Sequence, residues 1–188
     1  MGADLVFGLL THPIGLLLWL GILALSFSVA GKDPVARNCI PPLRLATGYL
    51  GAVLACVVIA ALSTYMSQEE ASTVWHVPSE RYWEVMKDEF FSNLVTSTMI
   101  VTTGIAIIGL PLIFRLARAG RAKIGWVLLV SVAVSIVFSL MFSLIFRIST
   151  LPWFEQTLKL INYSVAAHLL IALCFSVGAG LRWGHTDV

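Results

Sequence analysis

Residues 124–146 read IGWVLLVSVAVSIVFSLMFSLIF, a run of 23 residues with no Asp, Glu, Lys or Arg, bounded by Lys123 and Arg147. A helix that crosses a bilayer needs about 20 mostly apolar residues, because each adds about 1.5 Å of rise across a hydrocarbon core about 30 Å thick. This stretch meets that requirement. Working outward, four more charge-free windows of similar length occur at 5–31, 45–68, 90–114 and 160–181. All of the charged residues, 12 basic and 10 acidic, fall outside the five windows. The reading is an all-α polytopic membrane protein, a bundle of five transmembrane helices with spans at about 5–30, 44–67, 91–114, 124–146 and 160–181. The spans consume most of the 188 residues, so residues 1–188 form a single integral membrane domain.

Composition agrees. The chain is 59% hydrophobic and 12% charged, about half the charged share of soluble domains. The net charge of +2 carries little, but its placement carries more. Lys32, Arg37, Arg44, Arg115, Arg118, Arg121, Lys123 and Arg182 fall on one side of the five-span layout. Only Arg81, Lys87, Arg147 and Lys159 fall on the other. Because basic residues are retained in the cytoplasm, the N-terminus is expected outside and the C-terminus inside. The basic turns are topology signals that lie against anionic headgroups, and no nucleic-acid partner is read from them. Compactness and short loops point to a bacterial cytoplasmic (inner) membrane.

The first apolar run is read as a retained helix. Ser28-Val29-Ala30 has the small residues of a cleavage site, but Asp4 precedes the run without a Lys or Arg, and the run is longer than an ordinary signal h-region. Val6 stands where a myristoylation signal needs Ser or Thr.

The longest connection, 67–89, is acidic. Pro78-Ser79-Glu80 offers a helix start with Ser79 as cap. From there Tyr82, Trp83, Met86 and Phe90 recur at helical spacing, with Glu84 and Asp88 among them. The pattern predicts a short amphipathic extracytoplasmic helix near 79–91 that lies on the outer surface and runs into the third span. It either anchors the loop or presents a docking surface to a partner.

Inside lipid, helices gain little from hydrophobicity on meeting. Small residues and hydroxyls let them approach and bond. Span four carries Ser131, Ser135, Ser139 and Ser143 at four-residue spacing. Span two carries Gly48, Ala52, Cys56, Ala60 and Thr64, and span five carries Ser164, Ala172, Ser176 and Gly180 with His168 in the missing step. Span three is rich in hydroxyls and adds an amide, with Asn93, Thr96, Ser97, Thr98, Thr102, Thr103 and Gly104. Each set marks one helix face. These faces are read as helix-packing surfaces. The alternative is that they line a polar pathway, although no Asp, Glu, Lys or Arg lies within a window.

Cys39, Cys56 and Cys174 match no metal or disulfide spacing and are read as packing residues. His12 and His168 fall within spans one and five, each roughly 10–13 Å deep from the outer side by residue count. Two such rings could ligate a b-type haem, and a lone ring could instead bond a neighbouring hydroxyl. No G-x-S-x-G, H-E-x-x-H, phosphate loop or C-x-x-C occurs.

The sequence therefore points to a non-catalytic integral membrane interaction protein, an accessory subunit of a membrane complex or an immunity-type protein. Its partners would be the lipid bilayer and either another membrane protein or further copies of itself. The alternatives are an electron-transfer subunit with haem b on His12 and His168, and a transporter or channel component using the hydroxyl faces.

Overall fold

A computed structural model describes residues 12–32, 34–73, 81–145 and 152–183. Helix α1 spans Pro13–Lys32, α2 Pro34–Cys39, α3 Pro42–Thr73 and α4 Tyr82–Gly104. A π-helical segment, Ile105–Gly109, joins α4 to α5 at Leu110–Arg118. Helix α6 spans Ile124–Ile145 and α7 Trp153–Gly178. Among the described residues no strand forms, and the one isolated bridge pairs Lys123 with Arg182. Five stretches are long and apolar enough to cross a bilayer: Pro13–Lys32, Pro42–Ser67, Tyr82–Arg118, Ile124–Ile145 and Trp153–Gly178. The chain is an integral membrane protein of helical architecture.

Proline sets several boundaries. Pro13, Pro34 and Pro42 each open a helix, where the missing N–H costs nothing because the first turn has no partner for it. Pro152 precedes α7. That helix therefore begins at Trp153 and not near 160, since Lys159 ends the apolar window without ending the helix. Likewise Tyr82–Gly104 is one continuous helix. Residues 82–91 are its first turns and not a separate surface element, while Ser79 and Glu80 lie outside the described residues. Pro111 explains the π segment. It cannot donate to the carbonyl four residues back and its ring crowds that carbonyl, so the preceding turn widens, with the Leu110 N–H bonding Ile105 O.

The helices pack in the order α1, α4, α3, α7, α6, with α3 and α7 in the middle. The α3–α7 contact depends on two glycines. A methyl group at Gly178 would fall on the Thr47 carbonyl oxygen, and one at Gly51 on the Cys174 carbonyl oxygen. Such backbone approach is how helices associate without a hydrophobic drive. Thr47 Oγ1 seals this contact by donating to Gly178 O at 2.6 Å.

Most of the buried apolar core gathers at one end of the bundle. Ala30, Ile40, Leu45, Tyr49, Ile113, Phe114, Ile124, Phe175 and Leu181 form it. Tyr49 packs edge-on to Phe175, ring centroids 5.9 Å apart, and its hydroxyl meets Ser26 Oγ at 3.1 Å. Helices α5 and α7 both end here in the same way. Gly120 (φ 67°) and Gly180 (φ 70°) are left-handed. The N–H of Arg121 bonds Leu116 O and that of Leu181 bonds Ser176 O, the six-to-one closure that satisfies the last carbonyls of a helix. The Ile124 N–H then bonds Arg182 O at 3.0 Å and ties the two ends together. Arg44, Arg115, Arg118, Arg121, Lys123 and Arg182 all lie at this basic end; Arg115 and Arg118 are in the last turn of α5, where the helix C-terminus favours cations, and Arg44 lies against Gly180 at the end of α7. Here too, at the end of α2, burial pushes the Cys39 thiol up from its ordinary pKa, so it stays protonated and unreactive at neutral pH.

Candidate functional site

Helices α4 and α5 are joined to α6 by the tight turn at Gly120, yet the two arms of this hairpin stand apart. Between them lies a groove of about 550 Å³, floored by α3 and α7. One wall runs from Asn93 through Ser97, Ile108 and Leu112 to Leu116. The other runs from Val127 through Ser131 and Val134 to Phe138. The 24 residues from Asn93 to Leu116 represent about 35 Å of helix, the full thickness of a hydrocarbon core. The lining is mostly branched aliphatic, with Asn93, Thr96, Ser97, Ser131 and His168 as its polar points. The π segment forms part of the wall through Ile105, Ile108 and Gly109.

The other flank of α6 is closed against α7 by four serines, one per turn. Ser131 Oγ donates to His168 O at 3.0 Å, and Ser135 Oγ meets Ser164 Oγ at 2.7 Å. Ser139 Oγ reaches Leu160 O at 3.5 Å, and Ser143 Oγ meets Thr157 Oγ1 at 2.6 Å. Thr157 spends its own proton on Trp153 O, so Ser143 is the donor in that last pair. Ser135, Ser139 and Ser143 are buried and occupied by these bonds, and none of the three lines the groove. On α7, Ala172 lines the groove floor, Ser176 is fully buried with no bond to its hydroxyl among the described residues, and Gly180 is the left-handed cap against Arg44. Of the polar side chains on α4, Asn93, Thr96 and Ser97 face the groove, whereas Thr102 accepts a hydrogen bond from Trp19 Nε1 at 2.9 Å and so holds α1.

The two intramembrane histidines have different surroundings. His168 lies on the groove floor, and its Nδ1 is 2.7 Å from Ser164 O. A carbonyl only accepts, so Nδ1 carries the proton and Nε2 is left as the acceptor. His12 is exposed just before α1, and its Nδ1 accepts from the Ile14 N–H at 3.4 Å. Helix α1 lies on α4 and contributes nothing to the groove lining. Measured from the core at the basic end, His12 stands 18 residues above Ala30 and His168 stands 11 above Ala179. Their heights therefore differ by about 10 Å of helical rise. The two rings share no hydrogen-bond partner, His12 meeting Ile14 and His168 meeting Ser164, and no group of three or more His, Cys, Asp or Glu able to hold a metal occurs among the described residues.

The end opposite the basic one has a different character. The stretch Tyr82–Arg118 is 37 residues long, or about 55 Å, well beyond a core of about 30 Å. Helix α3 has 32 residues, or about 48 Å. The two are packed neighbours, and both outrun the apolar thickness at this end. In the first turns of α4, Trp83 is 77% exposed, and Glu84, Lys87 and Asp88 are exposed beside it. Tyr82 and Phe90 are half-buried, Phe90 lying edge-on to Phe91 at 5.6 Å. Met86 turns inward and is 4% exposed, so it belongs to the helix contact and not to an accessible face.

Sequence reasoning missed Gly51, Gly178, the Trp19–Thr102 bond and the groove itself. Gly51 lies three residues from Gly48 and meets α7 beside it, but it falls outside the four-residue spacing. Only knowledge of which helix α3 meets could have singled it out. No protein-family model matches the chain, no curated protein matches its sequence, and no solved structure matches it.

Proposed function

We propose that the chain is a non-catalytic integral membrane interaction protein, either an accessory subunit of a membrane complex or an immunity-type protein. Its docking surface is the projecting acidic end of α3 and α4. The observation that carries this reading is the overrun of those two helices, which lifts Trp83, Glu84 and Asp88 clear of the apolar layer and leaves them exposed. A large aromatic ring among carboxylates is a costly group to leave in water. It is also the residue type that most often anchors a protein interface. Glu89 adds to the negative charge of this end, which favours a partner with a basic face. The reading takes the basic end as cytoplasmic, with the N-terminus outside, the C-terminus inside and the acidic end outside a bacterial inner membrane, as the distribution of Lys and Arg supports.

Affinity capture from native membranes in mild detergent tests the proposal. The unaltered chain should retain a stoichiometric protein partner. Trp83→Ala together with Glu84→Lys and Asp88→Lys should reduce recovery of that partner by about thirtyfold or more, since one aromatic anchor alone is worth about 2 kcal/mol. Recovery of the chain alone, or of the same partner with the triple variant, would overturn the assignment.

A further inference from the structure

The groove between the hairpin arms ends at the most strongly basic turn of the molecule. Leu112, Leu116 and Val127 line its lower part. Immediately below them the nine residues from Arg115 to Lys123 carry four cations and no acid. Arg115, Arg118 and Arg121 are exposed, and Arg121 lies over the Trp126 ring at 5.2 Å. That stacking holds a guanidinium where a tryptophan ring marks the headgroup level. The apolar wall of α5 thus leads directly, along the chain, into the cationic turn.

We propose that the basic half of this groove binds one acyl chain of an anionic phospholipid, with the lipid phosphate held among Arg115, Arg118 and Arg121. The hairpin itself favours a lipid over a transmembrane helix of another protein. The Gly120 turn joins the two walls at the basic end, so a straight helix lying in the groove would run into it, whereas a lipid ends at that level. The charge of the rim selects an anionic headgroup over a zwitterionic one, with guanidinium forks suited to phosphate oxygens.

The test uses the full chain in nanodiscs with two photoreactive probes, a phosphatidylglycerol and a phosphatidylcholine, each with a diazirine midway along one acyl chain. The phosphatidylglycerol probe should label Ile108, Leu112, Val130 or Val134, and should do so at least about tenfold more than the phosphatidylcholine probe, given three basic groups near the phosphate. Arg115→Gln, Arg118→Gln and Arg121→Gln combined should abolish that preference, and Leu112→Trp should remove groove labelling by both probes. The unaltered protein alone decides the outcome if a variant fails to fold. Equal labelling by the two probes, labelling spread over lipid-facing residues such as Leu17 and Leu144, or a protein cross-linked in the groove in place of lipid would each overturn the proposal.

Discussion

Helix α6 has two flanks that follow opposite rules. Toward α7 it presents Ser131, Ser135, Ser139 and Ser143, one hydroxyl per turn, and the seam is closed by contacts of 2.6–3.5 Å. Toward α4 and α5 it presents Val127, Val130, Val134 and Phe138, and there the groove stays open. Adjacency in sequence does not explain the difference. Only five residues join α5 to α6, yet the arms of this hairpin are the ones held apart. In lipid, branched aliphatic side chains gain as much from acyl chains as from another helix, while a hydroxyl gains only from a partner. Small polar faces therefore close and large apolar faces stay with the solvent, which here is lipid.

The largest way to break this arrangement is through the floor on which both flanks depend. Gly178→Val places a branched side chain on the Thr47 carbonyl and the Gly48 backbone, where neither neighbour can yield without separating α3 from α7. The expected loss exceeds the about 1–3 kcal/mol of ordinary overpacking. Size-exclusion chromatography in detergent should give an aggregated or polydisperse protein. A monodisperse variant with an unchanged unfolding midpoint would mean that α3 and α7 do not meet at this glycine.

Charge placement made the five spans legible, because desolvation keeps Asp, Glu, Lys and Arg out of the hydrocarbon core wherever the helices sit. The four-residue spacing of Ser131 to Ser143 showed that they share a face, but the spacing could not name Ser164, His168 and Thr157 as what the face meets. Helix ends were less legible. Lys159 and Glu89 end apolar windows but not helices, since a helix continues past the headgroups at no electrostatic cost. Met86 follows a related rule. Its spacing matches that of Tyr82 and Phe90, but the packing of α4 on α3 decides which turn of a projecting helix is covered. The groove left no local signal, because it consists of a contact that two neighbouring helices do not make.

A middle-sized effect separates size from polarity in the closed seam. Ser135→Leu replaces one oxygen by three carbons at a site with 0% exposure and removes the bond to Ser164. The expected cost is about 1–3 kcal/mol from overpacking, seen as a lower unfolding midpoint in a denaturing-detergent titration. Ser143→Ala keeps the size and removes only the bond to Thr157, so it should cost about 0.6 kcal/mol, the average for such bonds between membrane helices. If the two variants lost equal stability, the seam would be held by hydrogen bonding and not by close approach.

The smallest expected effect is the most discriminating, because it repeats the experiment one residue away. Val134 precedes Ser135 but lines the groove. Val134→Leu adds one carbon to a side chain whose neighbours across the groove leave room for it, and the added surface leaves lipid contact for groove contact at almost no net gain. The stability change should stay within about 0.5 kcal/mol, as for exposed positions elsewhere. One helix, two consecutive residues and the same final side chain would then give opposite answers, a contrast that propensity and overall hydrophobicity cannot produce. A loss at Val134 comparable to that at Ser135 would mean that the hairpin arms close on each other in the bilayer, and the lipid assigned to the groove would have no room to enter.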